Sequence, residues 1–199
     1  MEKVYIVSAI DFEVEPIKKI TSHSSIHYLT CGVGSLNASK NSLLLAKKLA
    51  RQHVIFIGTA GSYYPFKKTH LVTTHKTLWL PPCERVGFSW SIENLHPPLS
   101  ISKTSLVKPL PAKTVITSPT ISKSTLISPS LTKVLPNKNE LIENLELYPV
   151  LSCLKQYAKS ISVILGITNE LGEHARTQWL HNHKDAAALT AQFLGKYLS

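Results

Sequence analysis

Ser162-Val163-Ile164-Leu165-Gly166-Ile167-Thr168-Asn169-Glu170-Leu171-Gly172 is the stretch that decides the fold, with Arg176 and Trp179 close behind it. A run of β-branched and apolar residues that stops at small polar side chains and a glycine predicts a strand buried on both faces, carrying Thr168 and Asn169 to its carboxyl end. In open α/β sheets that end is where ligands sit. Thr168 and Asn169 are therefore the first candidate site residues.

Similar strand ends recur earlier in the chain. Val4 to Ile10 is predicted as a strand, and Asp11 then opens a helical pattern through Glu13, Val14, Ile17 and Ile20. Acids at 11, 13 and 15 suit the positive end of a helix, and Glu13 also lies just past a strand end. Ile26 to Cys31 is a second strand, running into Gly32-Val33-Gly34-Ser35-Leu36-Asn37 and a helix from Ala38 to about Arg51. This lacks the third glycine of a dinucleotide fingerprint. Val54 to Ile57 is a third strand, ending in the glycine turn Gly58-Thr59-Ala60-Gly61-Ser62, where backbone N–H groups can approach a ligand.

Nine of the twelve prolines fall between Pro81 and Pro136, so strands broken by loops are expected there, with Leu71 to His75 and Thr114 to Thr117 the best strand candidates. Trp79, Phe88 and Trp90 are the aromatics of this region, with core packing preferred to base stacking. Ser118-Pro119-Thr120-Ile121-Ser122 follows a strand and borders the same crevice. Glu140 to Glu146 leads into an apolar helix through Leu147, Val150, Leu151, Leu154 and Tyr157, where Pro149 is tolerated in the first turn. A closing helix, Ala186 to Leu198, is capped by Asp185 or its neighbours. Strands alternating with helices imply one α/β domain over residues 1–199, with a mixed, mainly parallel central sheet flanked by helices.

The composition, 43% hydrophobic and 17% charged, is that of a globular domain. With 22 Lys+Arg against 12 Asp+Glu the formal charge is +10. The lysines are scattered singly, without an aromatic-interleaved stripe, so no nucleic-acid partner is expected. No apolar run reaches the length of a bilayer, and the amino-terminal residues lack the basic lead of a signal peptide. Cys31, Cys83 and Cys153 are odd in number and far apart, which argues against a disulfide framework. A cytoplasmic protein with no membrane partner is expected.

Four segments together resemble the methylthioadenosine/S-adenosylhomocysteine nucleosidases, of nucleoside phosphorylase-like fold. Ala9-Ile10-Asp11-Phe12-Glu13-Val14 resembles their Ala-Met-Glu-x-Glu-Val. Cys31-Gly32-Val33-Gly34-Ser35-Leu36-Asn37-Ala38 resembles Gly-x-Gly-x-x-Asn-Ala, Gly58-Thr59-Ala60-Gly61 resembles Gly-Ser-Ala-Gly, and Glu143-Asn144-Leu145-Glu146 is similar to the ribose motif (Val/Glu)-x-Met-Glu. The likeness covers roughly the first and last sixty residues. The adenine-specific enzymes carry Ser-Asp where this chain has Thr168-Asn169. Ile167-Thr168-Asn169-x-x-Gly172 with Arg176-x-x-Trp179 instead resembles the futalosine hydrolases, which remove hypoxanthine from futalosine in the menaquinone pathway. Leu145 replaces the usual Met, and Tyr148 and Pro149 stand where relatives place small residues.

The resemblance implies hydrolysis of an N-glycosidic bond, which builds positive charge on the ribose and negative charge on the purine. Glu13 would position and deprotonate water, Glu146 accept from the ribose 2′ and 3′ hydroxyls, and Leu145 pack under the sugar. Gly61 and Thr168 would line the nucleoside site. Hypoxanthine offers two acceptors, O6 and N7, and the two amide protons of Asn169 suit both, where an ionised Asp is repelled. Arg176 either pairs with the substrate carboxylate or stacks on Trp179 at the surface. The relatives need no cofactor or metal, so none is expected at His174, His181 and His183, and they associate as homodimers. A methylthioadenosine nucleosidase, a phosphorylase of the same fold and a non-catalytic nucleoside-binding relative stay open as alternatives.

Overall fold

The computed structural model describes residues 3–21, 23–87, 97–133, 135 and 137–198. The chain runs β1 (Val4–Ser8), α1 (Asp11–Ile20), β2 (Ile26–Thr30), α2 (Ser35–Leu45), β3 (His53–Ser62), β4 (His70–Trp79), α3 (Pro82–Arg85), β5 (Leu99–Ser100), β6 (Ala112–Thr117), α4 (Pro129–Thr132), β7 (Leu141–Glu143), α5 (Leu147–Leu154), β8 (Ser160–Glu170) and α6 (Ala175–Leu198). Phe88 and Trp90 lie outside the described residues. The strand expected from Ser162 to its end at Thr168 and Asn169 is β8, buried over all but its end residues, as its unbroken apolar run requires.

The sheet is mixed and closed, not mainly parallel. Strands β3, β7, β6, β4 and β8 pair in a ring that returns to β3, and β1 with β2 extends from β3 while β5 extends from β4. Parallel pairs join β1 to β2 and β3, β3 to β8, and β6 to β4 and β7. Antiparallel pairs join β3 to β7, β4 to β5, and β4 to β8. Two of the three reversals involve β4, which follows β3 after residues 63–69 with no crossover helix between them.

The second helix ends at Leu45 rather than near Arg51 and the first strand at Ser8 rather than Ile10, and two further shifts bear on the site. Gly58 to Gly61 is not a turn but the second half of β3. Its small residues serve close approach: a Cβ on Gly61 would stand 2.8 Å from Asn169 Nδ2 and 2.7 Å from Leu171 Cδ2. The closing helix begins at Ala175, not near Ala186. Its first ten residues after Ala175 bury no side chain fully, so they carry no apolar period. α6 is pinned across β8 at Gly166, where an added Cβ would meet Ala186 Cβ at 2.5 Å. That contact aims the polar amino-terminal turns of α6 at the carboxyl ends of β3 and β8.

Candidate active site

At those strand ends lies a cavity of about 210 Å³. Glu13, Gly61, Leu145, Glu146, Asn169 and Arg176 all line it. Thr168 does not: it is fully buried behind the cavity wall. Leu145 and Trp179 are half-buried, and Arg176 stands exposed at the rim.

Glu13 is the third residue of α1, and its position follows from the strand-to-helix turn. Its Oε2 accepts the N–H groups of Ala9 at 3.1 Å and Ile10 at 3.4 Å. The Thr59 backbone N–H also reaches the carboxylate, which lines the cavity. Burial, reinforced by the neighbouring Glu146 carboxylate, pushes the Glu13 carboxyl up to about 8, while the backbone donors pull the other way. An acid that titrates near neutrality suits proton transfer.

Glu146 stands at the entry to α5. Its Oε1 accepts the N–H of Gly34 at 2.9 Å, and burial raises its pKa against that bond. Gly34 adopts φ +80°, a left-handed conformation in which a side chain is strained, and so turns its N–H toward the carboxylate. Asn144 holds this corner together. Its Oδ1 accepts the N–H groups of Glu146 and Leu147 at 3.0 and 2.8 Å, while its Nδ2 donates to the Thr59 carbonyl at 2.9 Å. One amide thus caps α5 and ties the ribose motif to β3. Its place inside the four-residue ribose motif, directly before the candidates Leu145 and Glu146, was the signal that could have found it.

Asn169 is aimed by a bulge. Ala60 pairs with Ile167 but Gly61 with Asn169, so Thr168 is an extra residue on β8. The Thr168 hydroxyl donates to Asn169 Oδ1 at 2.8 Å, and Asn169 Nδ2 donates to the Glu170 carbonyl at 3.0 Å. A carbonyl can only accept, so the amide orientation is settled. One amide proton is therefore committed to the protein and one is left for a ligand. This corrects the expectation of two free donors on the base.

Glu143 and Trp179 complete the walls. Glu143 is buried, accepting the Ser122 N–H at 2.9 Å on Oε1 and the Ser122 hydroxyl on Oε2. Burial raises its pKa, opposed by Ser122 and by the Arg85 charge. The buried Arg85 donates from Nη1 to the carbonyls of Ser124 and Leu126, shaping the loop that brings Ile121 to the cavity. Trp179 donates from Nε1 to Thr59 Oγ1 at 3.0 Å and stacks on His183, with ring centroids 4.6 Å apart. Trp79 instead borders a neighbouring depression with Tyr148, their ring centroids 6.1 Å apart. Among the described residues no group of three or more His, Cys, Asp or Glu is placed to hold a metal ion, and no helix is long and apolar enough to cross a membrane.

A mixed α/β fold of this kind is shared with purine nucleosidases of known structure. A mutant of the futalosine hydrolase of Helicobacter pylori strain 26695 superimposes with a TM-score of 0.73 at 15% identity, over 98% of this chain and 97% of that one. The 5′-methylthioadenosine/S-adenosylhomocysteine nucleosidases of Neisseria meningitidis (TM-score 0.71, 15% identity) and S. pneumoniae (0.73, 13%) each match over 98% of both chains. No protein-family model and no curated protein sequence matches the chain.

Proposed function

We propose that this protein hydrolyses the N-glycosidic bond of futalosine, releasing hypoxanthine and dehypoxanthinyl futalosine in menaquinone biosynthesis. The observation that carries the reading is that Glu13, Glu146 and Asn169, from three distant parts of the chain, line one cavity. In this reading the Glu13 carboxylate orients a water at the anomeric carbon. As the bond from that carbon to the purine breaks, its electron pair leaves with the base. The water oxygen then bonds the carbon, and its proton passes to Glu13. Glu146 accepts from the ribose hydroxyls, Leu145 packs under the sugar, and Gly61 gives the base room to approach. Thr168 serves from behind, by holding Asn169. The remaining Asn169 N–H stabilises the charge that grows on the purine, and solvent supplies the proton the base takes up.

Arg176 is the one Lys or Arg among the described residues that lines the cavity, and it lies at the rim. That placement suits the carboxylate at the far end of futalosine and leaves a phosphate nucleophile without a cationic cradle beside the sugar. A hydrolase is therefore favoured over a phosphorylase. A homodimer in the cytoplasm belongs to the same reading. The test is product analysis with futalosine, inosine and methylthioadenosine side by side, with and without phosphate. Phosphate-independent release of hypoxanthine from futalosine is expected; adenine release from methylthioadenosine alone would overturn the assignment.

A further inference from the structure

The cross-strand register places one more polar residue beside the Asn169 amide. Gly61 pairs with Glu143 on one side and with Asn169 on the other. Residues directly opposite one another across a ladder present their side chains on the same face. Glu143 and Asn169 thus face the cavity from either side of a residue that has no side chain, and both line it. The amide leans over the bare Gly61, whose added Cβ would lie 2.8 Å from Nδ2.

Thr168 donates to Oδ1 from behind the cavity wall and the Glu170 carbonyl takes one amide proton, so Asn169 keeps a single donor. Glu143 is 4% exposed, is oriented through both oxygens by Ser122, and keeps unused lone pairs on those oxygens. This end of the cavity therefore presents one donor and, across Gly61 from it, one acceptor. A 6-oxopurine presents the complement on one edge, the O6 acceptor next to the N1–H donor. Adenine presents the reverse, a 6-amino donor next to the N1 acceptor.

We propose that Glu143 selects the base, accepting N1–H of a 6-oxopurine while Asn169 donates to O6. This rests on the futalosine-hydrolase reading above and adds to it a second residue that recognises the base, through N1. Any 6-oxopurine with a proton on N1 satisfies the pair; one methylated at N1 does not, because a buried acceptor is then left facing a methyl group.

The test is calorimetric titration of the protein with free hypoxanthine, 1-methylhypoxanthine and adenine, repeated with Glu143→Gln. The unaltered protein is expected to bind 1-methylhypoxanthine at least about 100-fold more weakly than hypoxanthine. Glu143→Gln is expected to narrow that gap to less than about tenfold and to raise adenine affinity relative to hypoxanthine, because an amide can donate to N1. A purely structural Glu143 would weaken all three ligands together. Equal binding of hypoxanthine and its 1-methyl derivative by the unaltered protein would overturn the proposal even if Glu143→Gln failed to fold. If the protein bound no purine base and released none from any purine nucleoside, the nucleosidase reading itself would fall and take this proposal with it.

Discussion

Glu13 shows how one residue can serve chemistry at the expense of stability. Its carboxyl is raised from an ordinary value of 4.5 to about 8, so between those values the folded chain holds a proton that the unfolded chain has lost. The contribution to stability is fully present below about pH 4.5 and is lost as pH rises through 8, at a rate of at most about 1.4 kcal/mol per pH unit. Glu13→Gln removes this titration. Urea unfolding midpoints should show the variant gaining on the parent from pH 5 to 8 and level with it near pH 4.5. The same substitution should lower futalosine turnover by about 10²- to 10⁴-fold, and the parent's kcat/KM should climb toward pH 8 as the general base forms. At the other end of the cavity, Asn169→Asp replaces a donor with a carboxylate beside the Glu170 carbonyl. Hypoxanthine release, assayed by absorbance or chromatography, should fall by about 100-fold or more, with a much smaller change in the unfolding midpoint; unaltered release would dispose of the amide's part in base choice.

At the level of elements, the site depends on where α6 begins and how closely it crosses β8. Gly166 permits that crossing, since a methyl group there would press on Ala186 Cβ at 2.5 Å and on Ala186 Cα at 3.3 Å. The obstacle belongs to a helix that cannot rotate away, so Gly166→Ala should cost about 1–3 kcal/mol in urea unfolding. It should also displace Trp179 from Thr59, since helix and indole move together. Little of this was legible in advance. The amino-terminal turns of α6 are polar because they border a cavity and solvent, and a hydrophobic period cannot report a face that is not apolar. The strand β8, buried on both faces, was legible from Ser162 onward for the opposite reason.

For the molecule as a whole, the proposed homodimer has a visible correlate in α2, where Leu36, Leu43 and Leu44 are 83%, 63% and 71% exposed. Light scattering coupled to gel filtration should return about twice the chain mass of 22.0 kDa, and Leu43→Glu with Leu44→Glu should shift the protein toward the single-chain mass. A single-chain mass for the parent at micromolar concentration would remove the dimer from the account. By itself the sequence determined the strands β1, β2 and β8, the first helix and the residue types of the candidate site, because these are written in local periodicity and in short motifs whose chemistry is carried by side chains close in sequence. Only the tertiary structure decided that the sheet closes, that Gly58 to Gly61 is strand, that Thr168 sits behind the amide, and that Glu143 stands across Gly61 from Asn169. Each of those depends on pairing between segments tens of residues apart, where register is set by which faces can be buried together and local pattern carries no record of the partner.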